Sequence, residues 1–131
     1  MVFKRNHTYV KMRKDMLWVK HLKNRTVVKL KSPQPFSTER LLVGQVSVAE
    51  AALKSAVRQA YAGRRQLVSP YMLIQPLECI EGGVSEAEEM TLMELGRRAN
   101  MMYTVVWVGP ELTDAQVPEK FIELARRLSL V

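Results

Sequence analysis

The sequence predicts an α/β fold in which helices pack against one mixed β-sheet. Short β-branched or aromatic runs alternate with helix-like segments that carry apolar stripes, and turn or capping residues separate them. Residues 67–110 are the most informative stretch, since they predict a strand, a glycine turn, a helix with an acidic start and a second strand. Two strands joined through a helix pair in parallel through a right-handed crossover.

The first third of the chain predicts a three-stranded meander over residues 8–31. Thr8–Met12 alternates weakly, Met16–Val19 is a compact apolar run, and Thr26–Lys31 is rich in β-branched residues. Pro33 and Pro35 end the third strand, because proline cannot donate a hydrogen bond to a ladder.

The α/β part is predicted to cover residues 45–131 and to begin with a helix. Ser47 and Glu50 have the spacing of a capping box, and Gly63 is a suitable C-terminal stop. The apolar stripe of this first helix consists of Ala49, Leu53, Ala56, Val57 and Ala60.

The next segment predicts a strand, a helix and another strand. Tyr71–Ile74 is a short apolar run, and Tyr103–Val108 is aromatic and β-branched. Ser85 and Glu88 repeat the capping-box spacing at the start of the intervening helix. The apolar face of that helix consists of Leu92, Leu95, Ala99 and Met102.

A last helix is predicted from about Pro118, since proline is favoured in the first turn. Its apolar face consists of Phe121, Leu124, Ala125 and Leu128. The complete order is βββ-α-β-α-β-α within a single domain, residues 1–131. This order is the ribonuclease-H-like arrangement, which the actin superfamily shares.

The composition is that of a folded domain, and it also bears on membrane insertion and on the cellular compartment. The 131 residues are 47% hydrophobic and 25% charged, which is typical of a globular chain. No apolar run approaches the roughly 20 residues that span a bilayer, so we expect no membrane span. Cys79 is the only cysteine, which excludes an intramolecular disulfide and favours the reducing cytoplasm.

The charge of +7 is distributed unevenly along the chain. Residues 1–70 hold 15 Lys/Arg and 3 Asp/Glu, whereas residues 71–131 hold 5 and 10, giving nets of +12 and −5. Such a split can steer an anionic partner, support head-to-tail self-association, or belong to a solvated surface that happens to be polarised.

Basic residues of the N-terminal strands suggest a contact surface. Its candidate members are Lys11, Arg13, Lys29 and Lys31 on strand faces, with Arg58, Arg64 and Arg65 near the end of the first helix. With Tyr9 and Trp18 nearby, such a face could bind nucleic acid through phosphates and stacking. Strand lysines also protect a sheet edge from aggregation, which is the alternative use.

The sequence carries no recognisable catalytic motif. Phosphate-binding and dinucleotide-binding glycine motifs, a nucleophile elbow and a zinc-protease motif are all missing. Asp15 is the only acid in the N-terminal strands, whereas a two-metal nuclease needs several. Glu78, Glu81 and Glu86 are better explained as a solvated acidic loop, and Cys79 as a semi-buried apolar residue. We therefore expect no enzyme activity, metal or cofactor.

Four segments resemble MreB, the bacterial actin homologue that determines rod shape. They are Leu41–Glu50, Ser69–Pro76, Ser85–Ala99 and Thr8–Lys20, and their order and spacing carry the resemblance. It covers most of residues 8–109 and implies the first ribonuclease-H-like subdomain of that family, less than half of a full-length member.

The departures from the family imply that nucleotide binding is lost. Tyr9-Val10-Lys11-Met12 stands where the family has the phosphate-binding turn Asp-Leu-Gly-Thr, and Gln45 stands where it has an aspartate. Glu88 matches the water-positioning glutamate but is better explained as a helix cap. The second subdomain, which completes the nucleotide pocket, has no counterpart in these 131 residues.

The resemblance thus implies a pseudo-ATPase. We expect a non-enzymatic module for protein interaction or assembly in the bacterial cytoplasm, contacting a protein partner or another copy of itself. The alternative is nucleic-acid binding through the basic N-terminal sheet, and an undetected enzyme is the third possibility.

Overall fold

The structure is a computed structural model that describes residues 7–62 and 70–130. Its elements follow the predicted order βββ-α-β-α-β-α. They are β1 (His7–Arg13), β2 (Met16–His21), β3 (Thr26–Lys31), α1 (Val46–Ala60), β4 (Tyr71–Pro76), α2 (Glu86–Arg98), β5 (Tyr103–Val106) and α3 (Gln116–Arg127).

The five strands form one mixed sheet in the order β3-β2-β1-β4-β5. The meander β1-β2-β3 is antiparallel, whereas β4 runs parallel to β1 and β5 runs parallel to β4. The predicted α/β fold, with helices packed on one mixed sheet, is confirmed. None of the helices in the described part of the chain is long and apolar enough to cross a membrane.

The two faces of the sheet are covered unequally. Helices α1 and α2 pack on one face, where Val10, Leu53 and Ile74 belong to the larger core cluster. Helix α3 packs on the other face over β1, β4 and β5, and Phe121 and Val105 lie at the centre of that smaller cluster. Within the described residues, no helix covers this second face where β2 and β3 form it.

The predicted capping box of the first helix is wrong. Helix α1 begins at Val46 with Gln45 as its N-cap and has no side-chain cap, so Ser47 lies inside the first turn. Tertiary hydrogen bonds fix this start, because the amides of Gly44 and Gln45 both donate to the Phe36 carbonyl, at 2.7 and 2.8 Å. Its apolar stripe is buried as predicted.

Glu50 connects two helices and caps neither. Its carboxylate pairs with Lys54 at 2.9 Å and with Arg98 of α2 at 2.7 Å. These contacts hold the pKa of Glu50 below its ordinary value, the hydrogen bond from Arg98 being the larger cause. The predicted stop at Gly63 lies outside the described residues.

Helix α2 has the capping box that its sequence predicts. The Glu88 amide donates to Ser85 Oγ at 3.1 Å, and the Ser85 amide donates to Glu88 Oε1 at 3.2 Å. Two residues predicted on apolar helix faces are instead exposed: Met102 lies beyond the end of α2, and Leu128 is the C-cap of α3.

Candidate functional site

The uncovered part of the sheet forms one surface, which we call the open face. It consists of Lys11, Arg13, Met16, Trp18, Lys20, Val27, Lys29 and Lys31. The strand register brings these residues together, since Lys11 and Lys29 flank Trp18 on its two neighbouring strands. Arg13 and Lys31 flank Met16 in the same way. The sequence prediction that the strand lysines share a face is therefore confirmed.

The middle of the open face is apolar. Met16 and Val27 are 43% and 44% exposed, and Trp18 is half-buried. A depression of about 320 Å³ lies here, lined in part by Met16, Trp18 and Leu77 with Arg13 and Lys29 at its sides. An apolar centre with a charged rim is the usual anatomy of a protein-binding surface.

Two of the lysines on this face are already paired. Lys11 Nζ lies 2.7 Å from Glu111, and Lys20 Nζ lies 2.7 Å from Asp114. The contact with Lys11 holds the pKa of Glu111 below its ordinary value. The acidic segment between β5 and α3 therefore neutralises part of the predicted basic surface.

The Lys11 ammonium group also lies over the face of the Trp18 ring. Its Nζ lies 3.9 Å from the ring centroid, within the range of a cation–π contact. Tyr9 packs edge-on against the same tryptophan at 5.5 Å. A nucleic-acid base could stack on that side of Trp18 only after displacing Lys11.

A buried hydrogen-bond network holds the acidic segment in position. The Tyr9 hydroxyl donates to Gln75 Oε1 and accepts from the Leu112 amide at 3.1 Å. Gln75 Nε2 donates to the Gly109 carbonyl at 2.6 Å. Burial raises the pKa of Tyr9, so the hydroxyl keeps its proton. The sequence gives no signal for this network, because its partners come from distant segments.

The remaining basic residues form a narrower surface than the sequence predicts. Arg13, Lys29 and Lys31 are exposed, and none of them forms an ion pair within the described residues. Arg58 lies in the last turn of α1, which packs on the opposite face of the sheet, so it does not belong to the open face. Arg64 and Arg65 lie outside the described residues.

A small pocket of about 190 Å³ lies beyond the carboxyl end of β4, where ligands often bind in α/β sheets. Its lining is largely apolar and includes Leu41, Val43, Leu92, half-buried Cys79 and Glu88. Glu88 already accepts from the Ser85 amide, and Glu78, which also lines the pocket, accepts from the Lys14 amide. Both carboxylates that line the pocket therefore already accept a backbone hydrogen bond.

Tyr9, Val10, Lys11 and Met12, which the resemblance aligned with a phosphate-binding turn, lie inside β1. Tyr9, Val10 and Met12 are almost fully buried, and their backbone pairs with β4 and β2. The nearby Asp15 carboxylate accepts from the amides of Phe36 and Ser37, both at 2.8 Å, which lowers its pKa. A phosphate would have to break these contacts in order to approach.

The acidic loop shows no metal-binding arrangement. Glu78 accepts from the Lys14 amide at 2.9 Å. Across residues 7–62 and 70–130, no group of three or more histidine, cysteine or acidic side chains is arranged to hold a metal ion.

The role of Glu88 as a cap makes a simple prediction. Glu88→Ala is expected to lower the free energy of unfolding by about 0.5–2 kcal/mol, the range for helix N-terminal caps. Glu88→Gln should be almost silent, because the amide oxygen can still accept from Ser85. Urea denaturation of both variants measures this difference. A stable Glu88→Gln protein that had lost a biochemical activity would contradict a purely structural role.

Comparison with protein-family models and with curated protein sequences finds no match to this chain. The functional assignment therefore rests on the fold and on the surfaces described above.

Proposed function

We propose that this protein is a non-enzymatic module for protein interaction or assembly, and that its open face binds an acidic surface of a partner protein. The observation that carries this proposal is the arrangement of that face. Exposed Met16 lies between Arg13 and Lys31, and half-buried Trp18 lies beside Lys29. These three cations form no ion pair within the described residues. A partner with complementary carboxylates would neutralise these cations and bury the apolar centre.

Three contacts favour protein over nucleic acid as the partner. Lys11 and Lys20 are paired with Glu111 and Asp114, which leaves less positive charge for a phosphate backbone. The stacking surface of Trp18 is shared with Lys11. Since phosphate neutralisation supplies most non-specific nucleic-acid affinity, these contacts weaken the alternative.

The proposal also covers the evolutionary origin of the protein and the compartment in which it acts. The ribonuclease-H-like strand order and the four resembling segments support descent from the first subdomain of an MreB-like actin homologue in a bacterial cytoplasm. The burial of Tyr9, Val10 and Met12 supports the loss of nucleotide binding and hence a pseudo-ATPase. A second copy of the chain remains a candidate partner, because its C-terminal half is acidic.

The test is recovery of a partner from bacterial extract with tagged protein, with and without nuclease treatment and at low and at high salt. Met16→Ser/Val27→Ser should reduce recovery most, because the apolar centre of an interface carries most of its energy. Lys29→Glu/Lys31→Glu should mainly slow association, because rim charges set the encounter rate. Adding Mg-ATP should leave recovery unchanged.

The matched control is Arg126→Glu/Arg127→Glu, which reverses two exposed charges at the end of α3. This variant should bind the partner like the wild type. The proposal fails if the tagged protein retains only nucleic acid and nuclease releases that material. In that case Lys29→Glu/Lys31→Glu should abolish retention, whereas Met16→Ser/Val27→Ser should not. That outcome would establish the nucleic-acid alternative instead.

A further inference from the structure

One edge of the sheet is open to another strand. β3 is the first strand in the sheet order and pairs only with β2 among the described residues. Its six residues, Thr26–Lys31, leave backbone N–H and C=O groups unpaired along the outer edge. Such an edge is a template for pairing with an extended segment of another chain.

A groove runs beside this edge on the α1 side of the sheet. It measures about 520 Å³ and lies between the second half of β3 and the first half of α1. The space exists because most side chains of α1 at this position are small. Its lining includes Leu30, Ser47, Val48, Ala51, Ala52 and Ser55. A strand added to β3 would direct alternate side chains toward this groove, because strand side chains alternate between faces.

The opposite side of the same edge is basic. Lys29 and Lys31 project on the open face and form no ion pair within the described residues. A second copy of β3 would oppose these charges with its own lysines, which is destabilising. A strand carrying carboxylates there would instead pair with them, so the same lysines reject one partner and select another.

We propose that the β3 edge and the adjoining groove bind an extended peptide segment of a partner protein, in which acidic residues alternate with apolar residues. The segment adds a sixth strand to the sheet. Its backbone pairs with β3, its carboxylates meet Lys29 and Lys31, and its apolar side chains enter the groove beside α1. Main-chain pairing then supplies affinity and the two faces supply specificity. This inference rests on the proposed function and names the binding mode.

The probe is a blocked hexapeptide of alternating glutamate and valine, with a fluorescent label for anisotropy measurements. We expect saturable binding to the full chain and slower backbone amide exchange confined to Thr26–Lys31 and its neighbour β2. A hexapeptide of alternating lysine and valine should not bind the wild type. Lys29→Glu/Lys31→Glu should reverse the order of the two affinities, so that the variant binds the basic peptide more tightly than the acidic one.

The groove is tested separately. Ala51 is exposed, so Ala51→Phe should fill the groove without disturbing the core and should weaken peptide binding at least tenfold. The matched control is Gln59→Phe, which adds the same ring at an exposed position of α1 outside the groove. Circular dichroism verifies that both variants are folded, and the control should bind like the wild type.

Three outcomes would overturn this binding mode: equal binding of both peptides by the wild type, protection of amides away from β3 and β2, or full affinity in Ala51→Phe. If the acidic peptide does not bind but recovery of a protein partner still depends on Met16 and Val27, only the strand-addition mode fails. If partner recovery also fails, the proposed function fails with it.

Discussion

Replacing Phe121 by alanine is expected to destabilise the protein by about 3–5 kcal/mol, the usual cost of truncating a buried phenylalanine. Phe121 is fully buried at the contact between α3 and the sheet. Its ring centroid lies 5.2 Å from those of His7 and Tyr71. Truncation would remove these contacts and leave a cavity under α3, which covers this part of the sheet.

Urea denaturation followed by circular dichroism measures the effect. The matched control is Leu124→Ala in the same helix, where the side chain is only half-buried and less apolar surface is lost. Its cost should be clearly smaller. Equal losses in the two variants would show that α3 is held by its general apolar character and not by the Phe121 contact.

The position of α3 also matters for the open face. The segment that leads into this helix carries Glu111 and Asp114, which pair with Lys11 and Lys20. A loosened α3 would weaken the support for these ion pairs. Salt-dependent retention on a polyanion should then rise in Phe121→Ala under conditions where the sheet itself remains folded.

The fold was predictable because local signals and tertiary structure agree. The β-branched runs, the stripe of α1 and the capping box at Ser85 and Glu88 each act over a few residues. The capping-box prediction at Ser47 is wrong because a distant group, the Phe36 carbonyl, fixes where the backbone enters the helix. Tertiary hydrogen bonds outweighed a local pattern there.

The site was predictable only in part. Period-two alternation is enough to put Lys29 and Lys31 on one face. It does not reveal that Glu111, 100 residues from Lys11, neutralises one of the neighbouring cations. Nor does it reveal the groove beside β3, which depends on how α1 is oriented against the sheet. Both features arise from contacts between segments that no local pattern connects.

Stability is expected to fall as the pH drops from about 7 to 4, because His7 resists protonation in the folded state. His7 is 1% exposed, lies against Tyr71 and Phe121, and has no hydrogen-bond partner at either ring nitrogen within the described residues. Burial lowers its pKa from the ordinary 6.5 to about 4. Between these values the unfolded chain binds a proton that the folded protein does not.

The sign of the effect follows from that difference in bound protons. Above pH 6.5 both states carry neutral His7, and the residue adds no pH dependence. As the pH falls toward 4, protonation of His7 stabilises the unfolded state, and the resulting loss of folding stability approaches about 3 kcal/mol. Urea denaturation of the wild type and of His7→Phe across this range isolates the contribution, since the carboxylates titrate in both proteins. The wild type should lose stability more steeply than the variant, whereas parallel curves would show that the His7 site is accessible to water.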